Sequence, residues 1–487
     1  MSSGMRFMAR LKERDYTYFT TVRGMCRECR EIVPARVFFR DGKVWQQSLC
    51  PVHGASDDPQ SDGGAAPALI AADKDWYLRN VLAAFPDRSP LKGSHPSQRG
   101  CPHDCGPCAW HASPCQLPVF SVTNACNLDC PICFTYNRKD RMYFMSPEEM
   151  RRTVDWILES SGPVDLVNIT GGEPTLHPQI LDLLECCRRP EIGRVTMNSN
   201  GLVLAEDPDL CKRLADLGVY VILSFNTFDS AASKRLHGRD VVGAKLKAIE
   251  NLSRAGARMT LLNVLTRGEN ETSIAGIFDL MRANDHILSL TVQTMTYTGQ
   301  GGGKSSERRH IPVDEAARIV CEHSSGQLEF SDFLPRPSAH PLCYLTCYML
   351  KQGSAFLPFA RFTSREKIVE LTLDSYLLRI EDDDGWFRRI IDDLFAQGKS
   401  GELKTFRRLV EDLYPSDRAV DAFERQRIAE SAVRTVYIHS HMDEDTFDCS
   451  RAMLCPDLVP SEPGRLIPAC TYNLFYRMQD GRFYVVS

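Results

Sequence analysis

The chain has 487 residues, 43% of them hydrophobic and 25% charged, with a net charge of −5. These are globular values for a chain longer than one ordinary domain, and the acidic balance gives no reason to expect a nucleic-acid groove. No apolar run is long enough to span a bilayer, and the first residues lack the apolar core of a secretory signal, so a cytoplasmic, reducing setting is expected.

Nineteen cysteines need a role in such a setting, where structural disulfides are rare. Three lie at 26–50, seven at 101–133 and five at 343–470. Clustering at short gaps is metal chemistry. Cys186, Cys187, Cys211 and Cys321 are scattered and read as small buried hydrophobes.

Residues 1–75 form a small metal knuckle and its linker. Cys26 and Cys29 precede two strand-like runs, 33–39 and 43–47, around Asp41-Gly42, and Cys50 and His53 follow. Asp-Gly between apolar runs is a strong hairpin signal. The hairpin would bring Cys26, Cys29, Cys50 and His53 into one tetrahedral site for Zn or a single rubredoxin-like Fe. Residues 55–75, rich in Asp, Gly, Ser, Pro and Ala, read as the linker. Segment 76–116 carries Cys101, Cys105, Cys108 and Cys115, four thiols that suit a fully ligated auxiliary 4Fe–4S cluster, with zinc as the competing metal.

From 117 to 310 strand and helix alternate. Strands are expected at 119–123, 164–170, 193–198, 219–225, 259–266 and 289–295. Helices are expected at 150–159, 178–187, 208–217, 242–255 and 272–283. Six strands alternating with helices imply parallel pairing and right-handed crossovers, hence a partial (β/α)6 TIM-like barrel in an α/β fold. The glycine run 299–306 then reads as a flexible loop. It contains Gly-Lys-Ser but lacks the leading glycine of a phosphate loop. Residues 311–487 read as a mixed C-terminal region holding a further cluster and part of the substrate site, with helices near 313–322 and 383–396.

The first barrel loop holds Cys126, Cys130 and Cys133. A closed zinc site wants four ligands. Three thiolates suit a cubane that keeps one iron free for a small molecule. The second loop carries Gly171-Gly172-Glu173-Pro174 and the third Asn198-Ser199-Asn200. All three belong to the carboxyl ends of the strands, the reactive face of parallel barrels. The spacing Cys-x-x-x-Cys-x-x-Cys with the downstream Gly-Gly-Glu-Pro resembles the radical S-adenosylmethionine (SAM) superfamily. That resemblance implies a 4Fe–4S cluster on the three cysteines whose open iron chelates SAM. Gly171 and Gly172 would admit the methionine amine. Glu173 would orient the loop, and Asn198, Ser199 and Asn200 would bind the ribose. Reductive cleavage of SAM would yield a 5′-deoxyadenosyl radical that removes hydrogen from an unactivated carbon, with flavodoxin or ferredoxin as electron donor.

Nearly the whole chain is similar to one branch, the archaeal tetraether lipid synthases and dihydropterin C-methylases. The similarity rests on the knuckle, the 101–115 block, the segment 264–270 and the closing 467–473. It implies one or two auxiliary 4Fe–4S clusters and a rubredoxin-like site. Cys343, Cys455 and Cys470 would ligate the C-terminal cluster, with Cys347 or Cys449 as the fourth. If 343–347 is helical, Cys343 and Cys347 share a face. A cysteine usual near Ser338 and a histidine usual near Asp457 are absent. His439, His441 and Asp443 are candidate pocket residues. Within the branch, carbon–carbon bond formation on a lipid alkyl chain is the leading expectation, and such a substrate would bring peripheral membrane contact. C-methylation of a pterin or other small heterocycle is the alternative. A non-catalytic Fe–S carrier or metal scaffold is the reading from another class.

Overall fold

The computed structural model describes residues 14–54, 66–81, 98–106, 108–136, 141–305, 307–373, 375–378, 385–462 and 464–484. Strands β1 (Thr17–Met25), β2 (Ile32–Arg40), β3 (Lys43–Ser48) and β4 (Ala68–Ala71) form an antiparallel ribbon in that order. Asp41 and Gly42 both have positive φ, 51° and 71°, the requirement of the expected two-residue turn, and Arg40 pairs with Lys43 across it. The expected linker is only partly that. Ala68–Ala71 pairs with β3 because its alternate residues cover the same core, while 55–65 lie outside the described residues.

Strands β5 (Leu117–Ser121), β6 (Val164–Thr170), β7 (Ile192–Ser199), β8 (Tyr220–Ser224), β9 (Met259–Leu265) and β10 (Ile287–Thr294) are the six expected barrel strands, all parallel. The C-terminal region adds strands that sequence reading did not anticipate. These are β11 (Leu334–Pro335), β12 (Tyr344–Gln352), β13 (Ala355–Pro358), β14 (Val433–His439), β15 (Asp457–Glu462) and β16 (Arg465–Pro468). β14 joins β10 as a seventh parallel strand, and β15 runs parallel to β5 at the opposite edge. The sheet order is β11-β12-β14-β10-β9-β8-β7-β6-β5-β15-β16. The two edges of this curved sheet meet through side chains: the Tyr344 hydroxyl donates to Asp457 Oδ2.

Strand parity sorts the barrel. Phe120, Ile169, Met197, Leu223, Leu261, Val292 and Ile438 point outward into the main core under the helices, each fully buried. Each such side chain contributes about 1.5–3 kcal/mol. The alternate residues Ser121, Asn168, Thr196, Asn198, Ser224, Thr291 and Gln293 face the lumen. Sharp caps begin several helices, as where Ser146 Oγ accepts from the Glu149 N–H ahead of Pro147–Ser161. Helices Trp386–Ala396 and Ser400–Leu413 build a second core with Phe359 and Phe406. Residues 379–384, at the start of the helix expected from 383, lie outside the described residues.

The glycine run is not a loop. Gly299–Lys304 is a short helix laid on the three-cysteine loop. The Gly301 N–H donates to the Cys133 carbonyl at 2.9 Å. A Cβ on Gly299 would stand 2.4 Å from the Phe134 carbonyl, and Gly299 has φ +60°. Ordinary side chains do not fit between these backbones, so the run is a contact device.

Candidate active site

Three loops meet at the carboxyl ends of β5, β6 and β7, and their backbones are knitted together. The Gly172 N–H donates to Thr123 O and the Glu173 N–H to Ala125 O, both at 2.7 Å. A Cβ on Gly171 (φ +143°) would sit 2.2 Å from Thr123 O, and one on Gly172 2.3 Å from Ala125 O. The two glycines therefore admit the cysteine loop itself; only Gly171 also borders the lumen. Glu173 is buried and takes hydrogen bonds from Ser199 Oγ (2.9 Å), the Asn200 N–H (2.6 Å) and Thr175. It ties the second loop to the third. Pro174 and Ser199 stand behind it, whereas Asn198 and Asn200 face the lumen.

Cys126, Cys130 and Cys133 are partly buried. Burial pushes the Cys130 thiol up to about 12, while the Lys245 ammonium pulls it back. Lys245 is buried, pushed down to about 8 by that burial, and donates to Ser224 Oγ at 2.7 Å. His237 Nδ1 lies 3.6 Å from Cys130 Sγ. A thiolate here needs metal to complete its stabilisation, and a three-thiol loop with a fixed cation beneath it fits a cluster with an open corner. Sequence reading missed Lys245 and His237. The signal for Lys245 was available: it sits on the stripe shared by Ala248, Ile249 and Leu252, where a charge is out of place.

Below the loops the lumen encloses a cavity of about 330 Å³. His439 and His441 line it, with ring centroids 4.1 Å apart. Tyr344 stacks on His439 at 4.0 Å and 10°. His441 stacks on Phe134, the residue after Cys133, at 5.3 Å and 9°. Burial pushes both imidazoles down, His441 to about 4, so both are neutral near pH 7. Asp443 is not a pocket residue. Its carboxylate pairs with His310 at 2.8 Å and accepts from the Tyr297 N–H, outside the lumen.

The remaining cysteines fall into three places. Cys26, Cys29, Cys50 and His53 have ligand atoms all within 4.8 Å of one another. Three of the separations are 3.9 Å (Cys29–Cys50), 3.7 Å (Cys26–His53) and 3.5 Å (Cys50–His53). Ligands about 2.3 Å from one ion in a tetrahedron stand about 3.8 Å apart, so this set fits a single ion. Cys101 is hydrogen-bonded to Cys105 and Cys449 and lies near Cys108; the Cys105 contact, burial and Cys108 push its thiol up, while the hydrogen bond with Cys449 pulls it back. Cys449 Sγ also donates to the Cys101 carbonyl at 3.6 Å. Cys343, Cys455 and Cys470 surround a separate small cavity. Met442 N–H and Arg451 Nε donate to the sulfurs of Cys470 and Cys343 at 3.3 and 3.4 Å, and His441 Nδ1 lies 3.4 Å from Cys470.

Three expectations change. Cys449 joins Cys101, Cys105 and Cys108, because residues 448–453 turn back against the ribbon. Cys115 is not with Cys101: it packs in the main core just before β5, whose Leu117 pairs with Asp457, two residues after Cys455. Cys347 joins neither. Residues 344–352 are strand, not helix, so Cys347 points with Leu345 and Met349 into the main core.

Residues 120–281 match the radical SAM superfamily, and residues 18–62 match the HMPTM N-terminal zinc ribbon domain. The chain is 26% identical to the 7,8-dihydro-6-hydroxymethylpterin dimethyltransferase of Methanocaldococcus jannaschii, covering 93% of each protein. It is 31% identical to a probable GTP 3′,8-cyclase of Pyrococcus abyssi over 33% of this chain and 50% of that protein. Streptococcus suis SuiB bound to S-adenosylmethionine aligns at 22% identity and a TM-score of 0.37, over 42% of this chain and 46% of that one.

Proposed function

Because this chain is a radical SAM enzyme with an N-terminal zinc ribbon, we propose that it C-methylates a reduced pterin. The observation that carries this reading is the character of the lumen. Its wall is mostly apolar and aromatic, with the stacked rings of Tyr344 and His439 on one side and polar groups at intervals, among them Asn198, Gln293, Asn168, Thr196 and Arg194. At about 330 Å³ it is at the lower end for small-molecule sites. Alkyl-chain coupling would need a long bore, and a compact cavity of about 330 Å³ speaks against it. Likeness across 93% of the chain to a pterin dimethyltransferase supports the same substrate class. No helix among the described residues is long and apolar enough to cross a membrane.

In this reading Cys126, Cys130 and Cys133 hold the SAM cluster. When bound, that cluster and SAM supply a one-electron reductive cleavage strong enough to take hydrogen from an unactivated carbon. The protein does the rest. Lys245 places fixed positive charge under Cys130. Glu173 locks the second and third loops to the first, and Asn198 and Asn200 present polar groups to the SAM ribose. The helix Gly299–Lys304 braces the cysteine loop from outside. Cys101, Cys105, Cys108 and Cys449 form one closed auxiliary cluster site, and Cys115, Cys343, Cys455 and Cys470 a second. The N–H donors of Met442 and Arg451 tune the latter's potential. A flavodoxin or ferredoxin supplies the electron.

Substrate-triggered SAM cleavage tests the reading. In enzyme reconstituted without oxygen and reduced with dithionite, 6-hydroxymethyl-7,8-dihydropterin should raise 5′-deoxyadenosine formation about tenfold or more. Deuterated dihydropterin should pass deuterium into the 5′-deoxyadenosine. Absence of both, with deuterium arriving instead from a labelled alkyl lipid, would restore the lipid reading.

A further inference from the structure

Asp457 closes the barrel seam, and half of its carboxylate is left over. It is 3% exposed, and Oδ2 accepts from the Tyr344 hydroxyl. Oδ1 is buried and has no hydrogen-bond partner. The side chain faces the lumen: its register partner on β5 is Leu117, and both line the cavity with Tyr344 and His439. An orphaned carboxylate oxygen in a closed apolar wall costs stability unless an occupant donates to it. Asp457 also lies 3.8 Å from His439 Nε2 and borders the small cavity of Cys343, Cys455 and Cys470.

We propose that Asp457 is the specificity residue for the substrate, reading a 2-amino-4-oxopyrimidine edge through two adjacent N–H donors. This rests on the pterin reading and narrows it to one face of the ring. A carboxylate offers about four lone-pair sites, so Oδ2 can serve Tyr344 and still accept a second bond. Adjacent N–H donors match two carboxylate oxygens as a fork. The flat stack of Tyr344 on His439, with Tyr376 edge-on to Tyr344 at 6.2 Å, supplies a planar wall beside that fork. A lipid chain has no group to offer Oδ1.

The test is direct binding to the reconstituted full chain with SAM present, followed by ligand fluorescence. The probes are 6-hydroxymethyl-7,8-dihydropterin and its analogue lacking the 2-amino group. Wild type should bind the analogue about 100-fold more weakly, a comparison that needs no folded variant. Asp457→Asn should bind the pterin about 100-fold more weakly and no longer discriminate between the two ligands. Equal affinity of wild type for both ligands, or an Asp457→Asn affinity within threefold of wild type, would overturn the assignment while leaving the pterin reading intact. Loss of iron from Asp457→Asn would overturn it by making Asp457 part of the metal site. Failure of wild type to bind the pterin at all would overturn the function reading, and the assignment with it.

Discussion

The ribbon and the two thiol sets behind the barrel solve the same problem in different ways. In the ribbon, four donors lie between Cys26 and His53 on either side of one hairpin, and the hairpin alone brings their ligand atoms within 4.8 Å. In the other sets, Cys101 meets Cys449 across more than 300 positions, and Cys343 shares a cavity with Cys455 and Cys470 across more than 100. Their cysteines come together only across the barrel sheet, where β15 pairs with β5. Local geometry makes the ribbon a site for one ion. In the proposed reading, barrel closure makes the others sites for clusters whose corners are held by distant elements. A metal site is legible in sequence to the extent that its ligands share one supersecondary unit.

The sharpest way to break this comparison is to exchange the rival cysteines. Cys449→Ser should remove one auxiliary cluster, about four irons per chain, and Cys347→Ser should remove none. Iron assay with Mössbauer spectra reads the difference, and equal losses would reject the regrouping. A smaller effect is expected in the ribbon. Cys50→Ser should release one metal ion and deprotect residues around 24–54 in hydrogen exchange. Val37 and Val44 belong to the main barrel core, so β2 and β3 should stay protected there. Loss of the auxiliary irons in Cys50→Ser would show that the ribbon and the barrel sets are one cooperative unit.

The same distinction explains what the sequence disclosed. The six barrel strands, the Asp41-Gly42 turn and the three rim loops were readable because each rests on a short-range pattern. β14 and β15 were not, since a strand that joins a sheet after a long helical excursion has no local mark of its partner. The 343–347 spacing misled because four residues share a face in a helix but not in a strand, and Tyr344–Gln352 is strand. Gly171 and Gly172 stand where backbones meet, and their missing side chains make room for Thr123 and Ala125. One signal was present and unused. The inward parity of the barrel strands places Asn168, Thr196, Asn198, Thr291 and Gln293 among Val119, Leu166, Ile222, Leu262 and Val264, polar groups spaced along a mostly apolar wall. In sequence Asp457 is only a departure from the resemblance; its unpaired oxygen depends on the seam it closes with Tyr344.

The separateness of the SAM site from the two auxiliary sets is the claim on which the rest depends. Its most direct measurement is the iron content and electron paramagnetic resonance of the reduced Cys126→Ala/Cys130→Ala/Cys133→Ala variant, reconstituted beside wild type. The account predicts about twelve cluster irons in wild type and about eight in the variant, with a SAM-induced spectral change in wild type alone. A variant that keeps the wild-type iron count, or whose spectrum still shifts with SAM, would contradict it.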